Sequence, residues 1–227
     1  MEDIDAIAVL QDPVRRRLYE YVAAQGREVG RNEAAEAAGV ARNLAAFHLD
    51  RLAEAGLLET ASRRLTGRSG PGAGRPAKVY RRSAVEREVS LPARDYRTAA
   101  ALLAEAAETA GLDVELRDVA RRQGEALRGS TAPCEGLEEV AQVLAGRGYE
   151  PYVDEGAEGA EGDGGAVLRM RNCPFHVVAE RFPPLVCGMN LALLEGLLGG
   201  SPGVRVRLDA RPGLCCAVVE PSKTNED

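Results

Sequence analysis

Four of the five cysteines and one of the two histidines in this 227-residue chain fall between residues 173 and 216. Their spacing is Cys173-x2-His176-x10-Cys187-x27-Cys215, or x28 if the last position is Cys216. Three thiols and an imidazole suit a tetrahedral zinc ion, and three thiols with another donor suit an iron–sulfur cluster. Pro174 marks the first position of a helix, with Cys173 just ahead of it and His176 on the same side of its first turn. Pro183-Pro184 opens a second helix, with Cys187 in the first turn. A helix N-terminus favours thiolate, the form that binds metal. Cys215 and Cys216 fall in a final strand, where successive side chains point to opposite faces, so only one is expected to reach the site. Cys134, distant in sequence, reads as a small buried hydrophobe, a role open to the other four as well.

A second set of residues suits a polyanion. Gly30 to Leu52 reads as two short helices joined by a tight turn, the helix-turn-helix that lays its second helix in a DNA major groove. Ala34, Ala35 and Ala38 fall where the helices must approach. Gly39 can take the positive φ that ends the first helix. Val40, Leu44, Leu49 and Leu52 supply the apolar side of the second. Arg42, Asn43, Ala46, Phe47 and Arg51 are left on or beside its outer face, and His48 suits a phosphate contact or a packed position. Leu58 to Leu65 and Ala77 to Arg82 then read as a β-hairpin with a tip rich in Gly and Pro. From Arg63 to Arg82 the chain has seven basic residues and no acidic one. A hairpin of that charge beside a helix-turn-helix is the wing of a winged helix. Arg63, Arg64, Arg68, Arg75 and Lys78 are expected against phosphates or in a minor groove.

The elements that hold these residues follow from periodicity. Asp12 and Pro13 give a helix its N-cap and first position, and the apolar spacing carries it from Pro13 to Ala24. Asp95 to Ala110 and Asp113 to Arg128 read as helices separated by Gly111. The Ala-rich surface of the first suits a connector that also dimerises. A mixed pattern follows: a helix over 135–145, strands near 149–153, 166–171, 204–208 and 214–219, and an apolar helix over 185–198. Residues 154–165 are acidic and Gly-rich, as a loop would be.

The expected organisation is α+β. A winged helix-turn-helix domain occupies 1–90, a helical linker and dimerisation region 91–130, and a C-terminal mixed α/β sensor domain with the cysteines 131–221. Residues 222–227 form a polar, disordered tail. The net charge of −6 conceals an asymmetry: residues 1–97 carry a net +3 and residues 98–227 a net −9. The first value fits a DNA-binding half and the second a different task. Met1 to Asp5 is acidic where a secretory signal is basic, and no apolar run is long enough to span a bilayer. A cytoplasmic protein with no membrane partner is expected.

The chain resembles the ArsR-type winged-helix regulators, and among them the branch of iron–sulfur-sensing SufR-type repressors. In the first half the resemblance rests on Ala46-Phe47-His48-Leu49-Asp50-Arg51-Leu52, Ala55-Gly56-Leu57-Leu58 and Gly74-Arg75-Pro76-Ala77-Lys78-Val79-Tyr80. In the second it rests on Asn172-Cys173-Pro174-Phe175, Cys187-Gly188-Met189-Asn190 and Cys215-Cys216. It implies a dimeric transcriptional regulator, a repressor acting on double-stranded DNA at a palindromic operator, with Cys173 and Cys187 as cluster ligands. SufR-type proteins carry a further cysteine between the positions of Cys187 and Cys215, and Gly188 to Leu214 contains none. His176 or a neighbouring cysteine would replace it, and a mononuclear metal or a thiol redox switch becomes a rival. Two other readings use the same residues. The second half could bind a small organic ligand with the cysteines structural, or Cys173 could be a nucleophile with His176 as base. The latter ranks last, since no orienting third group or oxyanion motif accompanies the pair.

Overall fold

The computed structural model describes residues 2–63, 76–156 and 165–222. The chain divides into two compact units, Met1–Arg94 and Asp95–Asp227. Among the described residues, no helix is long and apolar enough to cross a membrane.

The first unit starts with α1 (Glu2–Ala8), which the sequence pattern did not announce, and a short 3-10 turn, Val9–Gln11. Helix α2 (Pro13–Gln25) is capped as expected, the Asp12 carboxylate accepting from the Val14 and Arg15 amides at 2.9 Å each. Strand β1 (Val29–Gly30) leads into α3 (Arg31–Ala38), which Gly39 closes at φ 65°. Helix α4 (Arg42–Glu54) and the arms β2 (Leu58–Arg63) and β3 (Ala77–Arg82) follow. The three strands form one antiparallel sheet in the order β1-β3-β2, with Thr60 opposite Tyr80. This is a winged helix-turn-helix, and its core is formed by Leu18, Val22, Val29, Leu49, Leu52 and Tyr80. The inner stripe of α4 is Ala45, His48, Leu49 and Leu52. Leu44, expected on that side, is instead exposed, one position short of the buried i, i+3, i+4, i+7 set.

In the second unit α5 (Tyr96–Thr109) and α6 (Asp113–Arg128) do not stand apart as a linker. They pack with α7 (Leu137–Ala145), α8 (His176–Arg181) and α9 (Pro183–Leu198) beside a sheet of β4 (Pro151–Asp154), β5 (Val167–Met170), β6 (Val204–Leu208) and β7 (Ala217–Pro221). The sheet is antiparallel throughout, in the order β4-β5-β7-β6. Its inner face, with Leu168, Met170, Ala217 and Val219, forms the main core with Val140, Leu144, Leu194 and Leu197. On the ladder side, the guanidinium of buried Arg169 pairs with Asp154 at 2.9 Å and Asp209 at 2.5 Å. A second cluster joins Ala104 and Ala107 of α5 and Leu116 of α6 to Phe182, Leu185 and Val186.

Helix α9 is apolar nearly all round and correspondingly buried. It crosses α6 with two glycines at the contact. A Cβ on Gly196 would run into the Arg121 carbonyl oxygen, and one on Gly124 into that of Leu193. Backbone thus meets backbone, and an Arg121–Glu195 ion pair at 2.7 Å flanks the crossing. Neither carbonyl can swing aside without breaking its helix, so Gly196→Ala is expected to destabilise the full chain by about 1–3 kcal/mol, the usual cost of overpacking. Chemical denaturation measures it, and an unchanged midpoint would refute the close crossing.

Candidate nucleic-acid interface and thiol cluster

The outward side of α4 presents Arg42, Asn43, Phe47 and Arg51, all exposed, with Ala46 half-buried among them. Phe47 is 57% exposed, although a ring of that size would normally be buried. His48 departs from its expected place against DNA: it is 6% exposed, and its Nδ1 accepts from Arg15 Nε at 3.4 Å. The helical period turns it inward with Leu49, and the Phe47 ring meets it edge-on at 5.3 Å. A groove of about 1000 Å³ runs between the starts of α3 and α4 and the wing strands, with Arg27, Arg31, Asn32, Arg42, Ser62 and Lys78 among its lining.

Carboxylates of the same unit hold most of the cations on this side. Arg63 pairs with Glu28 at 2.7 Å, Arg27 with Glu33 at 2.5 Å, Arg51 with Glu54 at 2.9 Å and Arg81 with Glu59 at 2.6 Å. Asp50 gathers three side chains. Its Oδ1 accepts from Lys78 Nζ at 2.6 Å and from the Tyr80 hydroxyl at 2.7 Å, and Arg31 Nη2 lies 3.2 Å from Oδ2. Arg31 Nε also donates to the Tyr80 oxygen at 2.9 Å. One carboxylate therefore ties the recognition helix to α3 and to the wing. Lys78, expected on DNA, is engaged inside this network. Arg64, Arg68 and Arg75 lie outside the described residues.

The second unit brings the four cysteines of the 173–216 stretch together. Cys173 and Cys216 both hydrogen-bond to Cys215, and Cys216 also hydrogen-bonds to Cys187. Both members of the Cys215-Cys216 pair take part, contrary to the alternation expected of a strand. They precede β7 in a bend, held by Cys215 N–H donating to the Met170 carbonyl at 2.9 Å and by Asp209 N–H donating to the Cys216 carbonyl at 2.7 Å. Helix α8 begins at His176 rather than Pro174, so Cys173 sits before a turn. Donation to Cys215, and then burial, push the Cys173 and Cys216 thiols up. Cys215 receives both hydrogen bonds and a third from Asn190 Nδ2 at 3.5 Å, and these hold it well below the ordinary thiol range against the cost of burial. The donors thus converge on Cys215, whereas the helix starts pointed to Cys173 and Cys187.

Asn190 is fully buried in the apolar α9, and its Oδ1 accepts from the Tyr149 hydroxyl at 2.5 Å. Neither residue was singled out as functional, although a lone amide inside an apolar helix is a signal of its own. His176 stands outside the thiol group: its side chain is 63% exposed, with Nε2 3.2 Å from the Glu180 carboxylate. Cys134 is buried elsewhere in the core, its amide donating to Ser201 Oγ at 2.9 Å. Among the described residues, no group of three or more His, Cys, Asp or Glu is arranged to hold a metal ion.

A helix pair with an exposed outer face, a capping sheet and a cationic groove defines a DNA-binding domain of the winged helix-turn-helix class. In agreement, a family model described as a helix-turn-helix domain matches residues 10–61. The match points to a non-enzymatic DNA-binding protein of the transcriptional-regulator type. No curated protein and no solved structure matches the chain.

Burial raises the Asp50 carboxyl, and the Lys78 and Tyr80 hydrogen bonds with the Lys78 and Arg31 charges lower it by more, leaving it below its usual value. Stability from this network is therefore complete above the ordinary carboxylate range and lost as pH falls through the lowered value. The gap in melting temperature between the native chain and Asp50→Asn should be widest near neutrality and close below about pH 4. A gap that stays constant down to pH 2 would count against it.

Proposed function

We propose that the chain is a homodimeric transcriptional regulator of the ArsR type, related to the SufR-type repressors, that binds a palindromic operator and reports a metal, cluster or redox state. The observation that carries the DNA-binding half is the outer face of α4 beside a cationic groove. Arg42, Asn43, Ala46, Phe47 and Arg51 would face the major groove, with Arg63 and the wing on the backbone. The dimer reading is supported by the exposed apolar side chains of Tyr96, Leu102 and Leu103 on α5 and Val114 and Val119 on α6. Two copies so joined would present two recognition helices to paired half-sites. Repression rests on the sequence resemblance.

The sensing half rests on the four adjoining sulfurs. Thiols are the ligands of a soft metal ion or an iron–sulfur cluster. These are not arranged as a ready metal site, so Cys173, Cys187, Cys215 and Cys216 would have to draw together to form the holding set, with His176 outside it. A bound group would supply metal–thiolate coordination or, as a cluster, one-electron redox chemistry. The protein supplies the rest: Asn190 orients Cys215, and Tyr149 orients Asn190. Coupling to DNA requires that the bound group favour one dimer geometry over another by about 1–3 kcal/mol. A second reading, a small organic ligand in the second unit, is favoured by a cleft of about 400 Å³ where Leu127, Val143 and Leu197 meet Arg128, Gln142 and Arg147.

Anaerobic purification with a visible spectrum and elemental analysis separates these readings. Iron with sulfide, or zinc, lost in a Cys173→Ser/Cys187→Ser variant whose DNA affinity also changes, is the expected result. Unchanged affinity with no metal in either protein would leave the cysteines as core residues. For the interface, Arg42→Ala should cost roughly 1–3 kcal/mol on operator DNA and relax sequence preference, read by titrating operator and scrambled duplexes. Equal binding by both proteins would remove Arg42 from the base-reading face.

A further inference from the structure

We propose that Asp50 is a specificity-determining residue for DNA: it sequesters Lys78 and Arg31 within the protein, so that neither cation binds phosphate irrespective of sequence. The inference rests on the reading of the first unit as a DNA-binding domain. Both cations line the groove between α4 and the wing, and both are partly exposed, Lys78 at 38% and Arg31 at 31% of their side chains. They are within reach of a bound polyanion, yet each is turned to the same carboxylate. The geometry is that of strong pairing: Lys78 donates at 2.6 Å to the oxygen that also accepts from Tyr80 at 2.7 Å. Arg31 is fixed at two points, through Nη2 to Asp50 and through Nε to the Tyr80 oxygen.

The cations of a DNA-binding surface supply affinity for every sequence alike, and each phosphate they neutralise adds to the salt dependence of binding. Specificity is the ratio between operator and all other DNA, so a cation withheld from phosphate lowers the competing term. Exposed α4 offers few base-reading groups, Ala46 and Phe47 having none to donate. Discrimination on such a face gains more from suppressing general binding than it would on a helix rich in donors. Glu28 and Glu33 also line this groove, and Asp50 differs from them in holding two of its cations at once.

The test is fluorescence anisotropy of the full chain on a nonspecific 20-base-pair duplex over a range of salt concentrations. Asp50→Asn frees two cations while keeping the side chain's size. It should tighten nonspecific binding by roughly threefold to tenfold near 100 mM salt and steepen the salt slope by about 1–2. Tyr80→Phe keeps all the charges and should leave the slope unchanged. If Asp50 were only a structural tie, both variants would weaken binding, and weaker or equal binding by a folded Asp50→Asn overturns the inference. Lys78→Met tests it without disturbing Asp50. An unchanged slope supports sequestration, and a slope reduced by about 1 shows Lys78 on phosphate and overturns it. Failure of the native chain to bind any duplex at low salt would instead remove the DNA-binding reading on which the inference stands.

Discussion

A half-buried carboxylate set between a helix and a sheet draws donors to it, and in the first unit the arrangement turns on how Asp50 is met. Its three donors come from two other elements: Arg31 from α3, and Lys78 and Tyr80 from β3. The recognition helix, its partner helix and the wing are therefore tied through one side chain, in addition to the apolar core beneath them. Tyr80 joins both levels, its ring fully buried in that core and its hydroxyl in the network. Burial, then the bond to Asp50, push its phenol up to about 12, so it remains a donor at any physiological pH.

The same demand organises the second unit at the thiols. A sulfur as buried as Cys215 holds charge only if donors surround it, and Cys173, Cys216 and Asn190 provide them. Asn190 can sit fully buried in α9 because its oxygen is in turn satisfied by Tyr149. Cys187 and Asn190 are three residues apart on α9, so one helix position sets both a member of the sulfur group and the amide that steadies Cys215.

Much of this was legible in the residues. Asp12-Pro13 announced the start of α2, Gly39 the end of α3, and the limits of α6, β3 and β6 coincide with those read from periodicity. The gathering of Cys173, Cys187 and the 215–216 pair followed from their crowding into one stretch of chain. What failed were inferences that needed the backbone path. The alternation argument assumed that Cys215 and Cys216 lie in a pleated strand, and a bend removes that constraint. Likewise Pro174 suits the first position of a helix, but the chain turns there and starts α8 two residues later, sending His176 to solvent beside Glu180. The Asp50 network was illegible for another reason. Residues 31, 50, 78 and 80 are joined only by tertiary packing, and charge counted along the chain treats Lys78 as available.

Charge counted by segment and charge presented on a surface are accordingly different quantities in this protein. The first 97 residues carry a modest excess of cations, and the side that would meet DNA spends several of them on carboxylates of its own. Exposed pairs such as Arg81–Glu59 contribute little to stability and are open to exchange when a phosphate arrives. The Asp50 pairs differ, because one carboxylate holds Lys78 and Arg31 together and Tyr80 shares their acceptor. A surface of this kind can keep its cations in place while yielding them unequally, the outer ones readily and the inner ones reluctantly. The structural basis for that order is how many side chains each acceptor holds, three on Asp50 against Arg81 alone on Glu59.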